Sequence, residues 1–349
     1  MAIPSADEQL AFLQQLQLVF EEGEFSSTYK YALLLALGEL AVEMGNDSNV
    51  ALRIPICRIA EKFIEFYWPQ SAPYAEGTLD ESTVLYQNAG QQASVINRLQ
   101  QMRSTGVSSL AEARGSLLWT ETVRNVAATV KDMPLRYLQN RAGTTVTFLY
   151  ALPVVGDTIE LLPGVCFNLR RFQGFLQQLA RAGWMEHVRN NRRNTTLIGQ
   201  SARLENFLFG TTRAGLQKVA YVLRPLQDDS CFFCREKLRN AGVVDHFIPW
   251  SRYPRDTALN FVLAHSVCNG DKRDLLAGQS HLERWLERNE RQGAEVGEAL
   301  SEVGFLMEPA VTTMIARWAY NQTIASEGHF WVGYKNTEKA SADILRAFS

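Results

Sequence analysis

Two short pairs carry metal-ligand chemistry: "CFFC", holding Cys231 and Cys234, and "HSVC", holding His265 and Cys268. Two intervening residues let both ligands of a pair reach one ion from a single tight turn. Thirty residues separate Cys234 from His265, and two such pairs at that spacing read as a four-ligand tetrahedral zinc site. A site closed by protein ligands is structural, cross-linking a module too small to build its own core. Cys57 and Cys166 each stand alone among apolar neighbours and are expected as inert core residues. The odd total of 5 cysteines argues against a disulfide framework.

Inside the staple lies "VVDHFIP", an apolar run broken by Asp245 and His246. Burying an acid and an imidazole there is costly without a partner, and a second metal would be one. Hard cations such as Mg²⁺ take oxygen ligands. Asp245 offers a carboxylate, and Asn269, directly after Cys268, offers an amide oxygen. His246 is then free to act as a general base. Neighbours on a regular strand face opposite ways, so Asp245 and His246 share a site only if the strand is irregular or the site wraps its edge. Residues 265–273 suit a helix start, with Asn269 and Lys272 three apart on one face.

The succession C-x2-C, Asp245-His246, a central Asn260, then H-x2-C-Asn with Lys272 three residues on resembles the HNH endonuclease family, whose fold is the ββα-metal finger. The resemblance covers about residues 231–285. It implies that His246 activates water, that Asn260 steadies the loop and the base, and that Asp245 and Asn269 hold the catalytic metal. A late Asn in place of His implies Mg²⁺ or Mn²⁺ rather than a second zinc. His265 departs from the family, where many members have Cys. The implied activity is hydrolysis of DNA phosphodiesters, by nicking or by double-strand cleavage. The same residues would serve a nuclease acting on RNA. A non-catalytic, zinc-stapled nucleic-acid-binding module needs the four zinc ligands but has no use for Asp245, His246 and Asn269 in register.

The surrounding elements are read from periodicity and punctuation. "ADEQLAFLQQLQLVFEE" is a helix capped by Ser5. Further helices are expected over the segment ending at Gly45, over "RIPICRIAEKFIEFYWPQ", and near 92–104 and 119–139. Residues 70–92 read as a loop. "TTVTFLYAL" and "DTIELLP" read as a β-hairpin. A long helix is expected from Gly164 to about Asn191 and another near 203–226. "SHLERWLERNERQG" and "EPAVTTMIARWAYNQTI" are amphipathic, and the last residues read as a polar tail with a helical end. The expected fold is mainly α with a small α+β module. Its parts are a helical N-terminal domain (1–160), a basic helical connector (161–224), the finger (225–285) and a C-terminal helical segment (286–349).

The 349-residue chain has a net charge of −2, which alone suggests no polyanion partner. The average hides a block, however: residues 161–224 carry ten basic and two acidic side chains. Such a block could meet DNA. Arg189, Arg192 and Arg193 are the candidate phosphate contacts there, with Lys272 and Arg273 beside the finger. Trp250, Arg252, Tyr253 and Arg255 interleave aromatic and cationic groups in the loop after His246, a pattern suited to backbone contact and stacking. No apolar run is long enough to span a bilayer, so no membrane insertion and a cytoplasmic location are expected. Helical bodies bearing such a finger resemble nucleases of bacterial restriction and phage-defence systems, which implies a trigger or partner subunits of such a system.

Overall fold

A computed structural model describes residues 3–74, 83–195, 197–198, 202–210 and 213–348. The chain is mainly helical, with small sheets of two or three strands. It divides into two compact units. One comprises residues 1–108 and 113–210, the other 109–112 and 211–349.

In the first unit, α1 (Ala6–Glu22) starts at a capping box. Ser5 Oγ accepts from the Glu8 amide, and Glu8 Oε2 accepts from the Ser5 amide. α2 (Tyr29–Met44) is buried from Tyr29 to Glu43. A helix apolar on all sides belongs at the centre of a bundle, and α2 is wrapped by α3 (Ile56–Tyr67), α8 (Val165–Arg171) and α9 (Gln173–Asn190). Its two acids, Glu39 and Glu43, meet Lys62 of α3 at 2.8 and 2.5 Å. Further helices are α4 (Ser94–Ser104), α6 (Trp119–Asp132), α7 (Pro134–Tyr137) and α10 (Ala202–Phe209), while α5 (Leu110–Gly115) is divided between the two units at residue 112.

Three expectations change here. β1 (Leu52–Pro55), expected as helix, pairs antiparallel with β4 (Thr158–Leu161). The expected hairpin is therefore not the main pairing: "TTVTFLYAL" touches β4 through a bridge of Tyr150 with Leu161. Its Thr144–Thr145 (β3) pairs instead with Asn140–Arg141 (β2). The distant "RIP" segment, with its β-branched Ile54 fully buried, outcompetes the local partner. The 70–92 loop has no regular element over 83–87, and its residues 75–82 lie outside the described residues. Cys166 is buried as expected, but Cys57 is exposed on α3.

The 161–224 segment is not a separate connector. α8 and α9 pack on α2 within the first unit, whereas α11 (Arg213–Leu226) belongs to the second. Arg170 explains part of its basicity structurally. Its guanidinium closes the C-terminal end of α2, donating to the carbonyls of Ala41, Val42 and Gly45 at 3.0–3.2 Å and to Asp47 at 2.6 Å.

In the second unit, β5 (Val243–His246) and β6 (Phe261–Ala264) form an antiparallel ladder, followed by α12 (Ser266–Lys272). β7 (Leu276–Ala277) pairs in parallel with β8 (His329–Gly333), which pairs with β9 (Asn336–Lys339). The tail ends in a short 3-10 helix (Ala342–Phe348), as expected, but it is preceded by a hairpin that was not expected, held by the buried Phe330 and Trp331 of β8. α13 (Gln279–Glu302) runs through the expected boundary at 285. Its Trp285 stacks on Phe247 at 4.7 Å, and its Arg288 donates to the carbonyls of Leu259 and Phe261. The ββα element is therefore part of a larger core that also includes α14 (Pro309–Ala325). Among the described residues, no helix is long and apolar enough to cross a membrane.

Candidate metal centre and catalytic cluster

Cys231, Cys234, His265 and Cys268 bring their ligand atoms within 4.8 Å of one another and could hold a metal ion such as zinc. The first pair sits in a turn closed by backbone bonds: Arg235 N to Cys231 O and Cys231 N to Glu236 O, both 2.9 Å. Arg235 has φ 67°, a left-handed conformation that ordinary side chains enter at a cost of about 1–2 kcal/mol. The second pair sits where β6 becomes α12, with His265 as the N-cap residue. Three residues apart, His265 and Cys268 share one side of that start.

Donor chemistry fits zinc. His265 Nδ1 is 3.3 Å from Cys234 Sγ, while Nε2 is 3.2 Å from the Lys237 carbonyl. An imidazole donating from Nε2 to a carbonyl keeps Nδ1 as a lone pair for metal. Burial, and then the crowding of Cys231 and Cys234, pushes the Cys268 thiol up to about 12. Three sulfurs packed this closely call for a cation to accept their charge.

Beside this cluster, β5 holds Asp245 and His246 in an unbroken register, Asp245 opposite Val262 and His246 opposite Phe261. Their side chains consequently part. Asp245, 8% exposed, meets Lys272 of α12, whose ammonium lies 2.9 Å from Oδ2 and donates to the His246 carbonyl at 3.1 Å. Oδ2 is thus covered by the Lys272 ammonium in a buried ion pair. Burial raises the pKa of Asp245, and the Lys272 charge pulls it partly back.

His246 turns the other way. Nε2 lies 2.8 Å from Asp256 Oδ1, and the ring sits 5.3 Å from Trp250 and 4.9 Å from Phe261. Asn260 makes two bonds to one residue: its Oδ1 accepts from Ile248 N at 2.8 Å and its Nδ2 donates to Ile248 O at 3.0 Å. The chain leaving His246 is thereby fixed to the start of β6. Asn269 is half-buried on α12, one turn before Lys272.

Several expected nucleic-acid contacts are corrected. Lys272 is fully buried in its pair with Asp245 and presents no charge to solvent. Arg255 is buried and paired with Glu308 at 2.5 Å, and Tyr253 is 2% exposed. Arg273 is exposed, and with Arg252 it lines an open cleft that Ser251, Asp274 and Leu275 complete. Arg189 pairs with Glu186 at 2.9 Å and Arg193 lies 4.9 Å over the Tyr86 ring, leaving Arg192 exposed between them.

Sequence reasoning missed three residues. Asp256 is an ordinary loop acid in sequence, since its pairing with His246 depends on how residues 247–255 fold. Gln227 grips the Leu263 backbone, its Oε1 accepting at 2.8 Å and its Nε2 donating at 3.0 Å. Asp271 Oδ2 accepts from Trp331 Nε1 at 2.7 Å and from Lys335 N at 2.8 Å, tying α12 to the C-terminal hairpin.

A family profile described as a domain of unknown function (DUF8808) matches residues 9–205. The chain belongs to that family. The DUF8808 segment runs from within α1 into α10 and so comprises most of the first unit. The cysteine cluster and the His246 cluster both lie outside the DUF8808 segment, in the second unit. No curated protein and no solved structure matches the chain.

Proposed function

We propose that the second unit is a metal-dependent HNH endonuclease that hydrolyses DNA phosphodiester bonds. One observation carries the reading: His246 ends β5 with its ring held by Asp256, while Asn260 locks the following backbone at Ile248. An imidazole so fixed on a rigid ββα element is a preorganised base. A zinc-stapled binding module has no need of it.

The four-ligand cluster takes structural Zn²⁺. Asp245 and Asn269 take catalytic Mg²⁺ or Mn²⁺, supplying the carboxylate and amide oxygens that a hard cation prefers. When bound, that ion supplies charge neutralisation at the phosphoryl group and the leaving oxygen. His246 takes a proton from water, and the hydroxide attacks phosphorus in line with the leaving 3′ oxygen. Asp256 keeps the imidazole in place. A regular ladder sends Asp245 and His246 to opposite faces, so one centre must wrap the free edge of β5. Among the described residues, that sheet has two strands, which leaves the edge unpaired by a third. The Arg252 and Arg273 cleft would follow the phosphate backbone.

The biological setting follows from architecture alone: a helical body carrying a nuclease, in bacterial restriction or phage defence, acting in the cytoplasm with partner subunits of such a system. A fluorescent DNA duplex and an RNA of matching sequence, each incubated with Mg²⁺, Mn²⁺ or EDTA, test the reading. DNA cleavage that EDTA abolishes is expected. Cleavage of RNA alone would move the assignment to the RNA reading, and binding without cleavage of either would favour the non-catalytic module.

A further inference from the structure

The second residue of α2 is a buried lysine: Lys30 is 7% exposed. Among the described residues it has no carboxylate at ion-pairing distance, and its ammonium lies 5.5 Å over the Phe25 ring. Exposed Glu24 acts on it only at longer range. Burial lowers its pKa, with Glu24 opposing. A mostly buried lysine whose ammonium has no carboxylate at ion-pairing distance offers its charge to whatever anion can reach it.

Lys30 lines a cavity of about 350 Å³ within the first unit, a volume inside the usual range of small-molecule sites. Ser26 and Ser27 stand at its polar end, where α2 begins. Tyr29, Met133 and Tyr137 form its apolar walls, Met133 and Tyr137 being 49% and 41% exposed. The turn at Ala142–Gly143, with φ of 45° and 78°, closes one rim.

We propose that this cavity binds a small organic anion, a carboxylate or phosphate on an aromatic or apolar body, with Lys30 as its counter-ion. The start of a 16-residue helix adds a favourable dipole at the same spot, and the serine hydroxyls can donate as well. Met133 and Tyr137 supply apolar surface for the body. Glu24 at the rim disfavours a second negative group there, so the ligand carries its charge at one end. The site lies in the DUF8808 segment and is independent of the nuclease reading.

Ligand-observed NMR titration of the full chain with phenylacetate, phenyl phosphate and benzyl alcohol tests this. At least one anion should bind with a Kd of about 1 mM or tighter, the range open to fragments of this size, and the neutral alcohol about tenfold more weakly. The preferred anion distinguishes carboxylate from phosphate. Lys30→Met, close in shape, should weaken the anion about tenfold and leave the alcohol unchanged. Tyr137→Ala, at a half-open position, should weaken both and decides the matter if Lys30→Met fails to fold. Absence of anion binding, equal binding of the alcohol, or affinities unmoved by these substitutions would overturn the proposal.

Discussion

His246 Nε2 and Asp256 Oδ1 lie 2.8 Å apart, one at the end of β5 and the other ten residues on in the loop that returns to β6. The loop is not free to drift. Asn260 binds both backbone groups of Ile248, and the buried Arg255–Glu308 pair anchors the residue before Asp256. A carboxylate so placed fixes the orientation of the imidazole, and on the proposed nuclease reading the other ring nitrogen, Nδ1, takes the proton from water.

Asp256→Asn should therefore slow cleavage about 10–100-fold, the usual cost of losing the partner that orients a functional histidine. DNA affinity and zinc content should stay unchanged. Single-turnover rates beside binding isotherms separate the two effects. A weaker affinity with an unchanged rate would place Asp256 in substrate binding instead.

Lys272 is expected to act on stability rather than on nucleic acid. Lys272→Met leaves Asp245 buried without its counter-charge, a change that costs about 3–5 kcal/mol for broken buried pairs. Denaturant unfolding measures the loss. A variant less than about 1 kcal/mol destabilised, with a flattened salt dependence of DNA binding, would return Lys272 to the interface.

Thiol labelling reads the metal centre directly. Cys57 is exposed and should react first at pH 8. Cys166, whose thiol burial pushes up to about 11, holds only about one part in a thousand as thiolate at that pH and should stay silent. Cys231, Cys234 and Cys268 should be protected until a chelator strips the metal. Cys231→Ser should lose zinc and unfold the ββα element, followed by metal analysis and circular dichroism. Three ligand thiols that label equally with and without chelator would contradict a zinc site.

Arg192→Ala combined with Arg193→Ala tests the remaining basic surface of the helical unit. If both neutralise phosphates, DNA affinity should fall and the slope of log K against log salt should decrease by about 2. Arg193 already rests on Tyr86, so a slope change nearer 1 assigns the contact to Arg192 alone. An unchanged slope removes both from any interface.

The four ligands of the metal cluster were legible because ligand spacing is a local property: each pair closes within one turn. Ser5 and the helices with strong periodicity were legible for the same reason. What stayed hidden is long-range. β1 is four residues whose partner lies more than a hundred positions away, so "RIP" reads as the start of α3. The C-terminal hairpin hides because β9 is exposed and polar, and the other neighbour of β8 is the distant, two-residue β7. Lys272 looked available because spacing gives the face of a helix but not what that face meets. Asp256 and Gln227 act through loops, where sequence carries no period to read.

The central claim is tested most directly by supercoiled plasmid incubated with wild type and with His246→Ala, the two preparations first matched for zinc content. Open-circle or linear product from wild type in Mg²⁺ or Mn²⁺, abolished by EDTA and absent with the zinc-replete His246→Ala protein, is the predicted result. Equal cleavage by both would contradict it, as would loss of zinc from His246→Ala, which would merge the structural and catalytic sites into one.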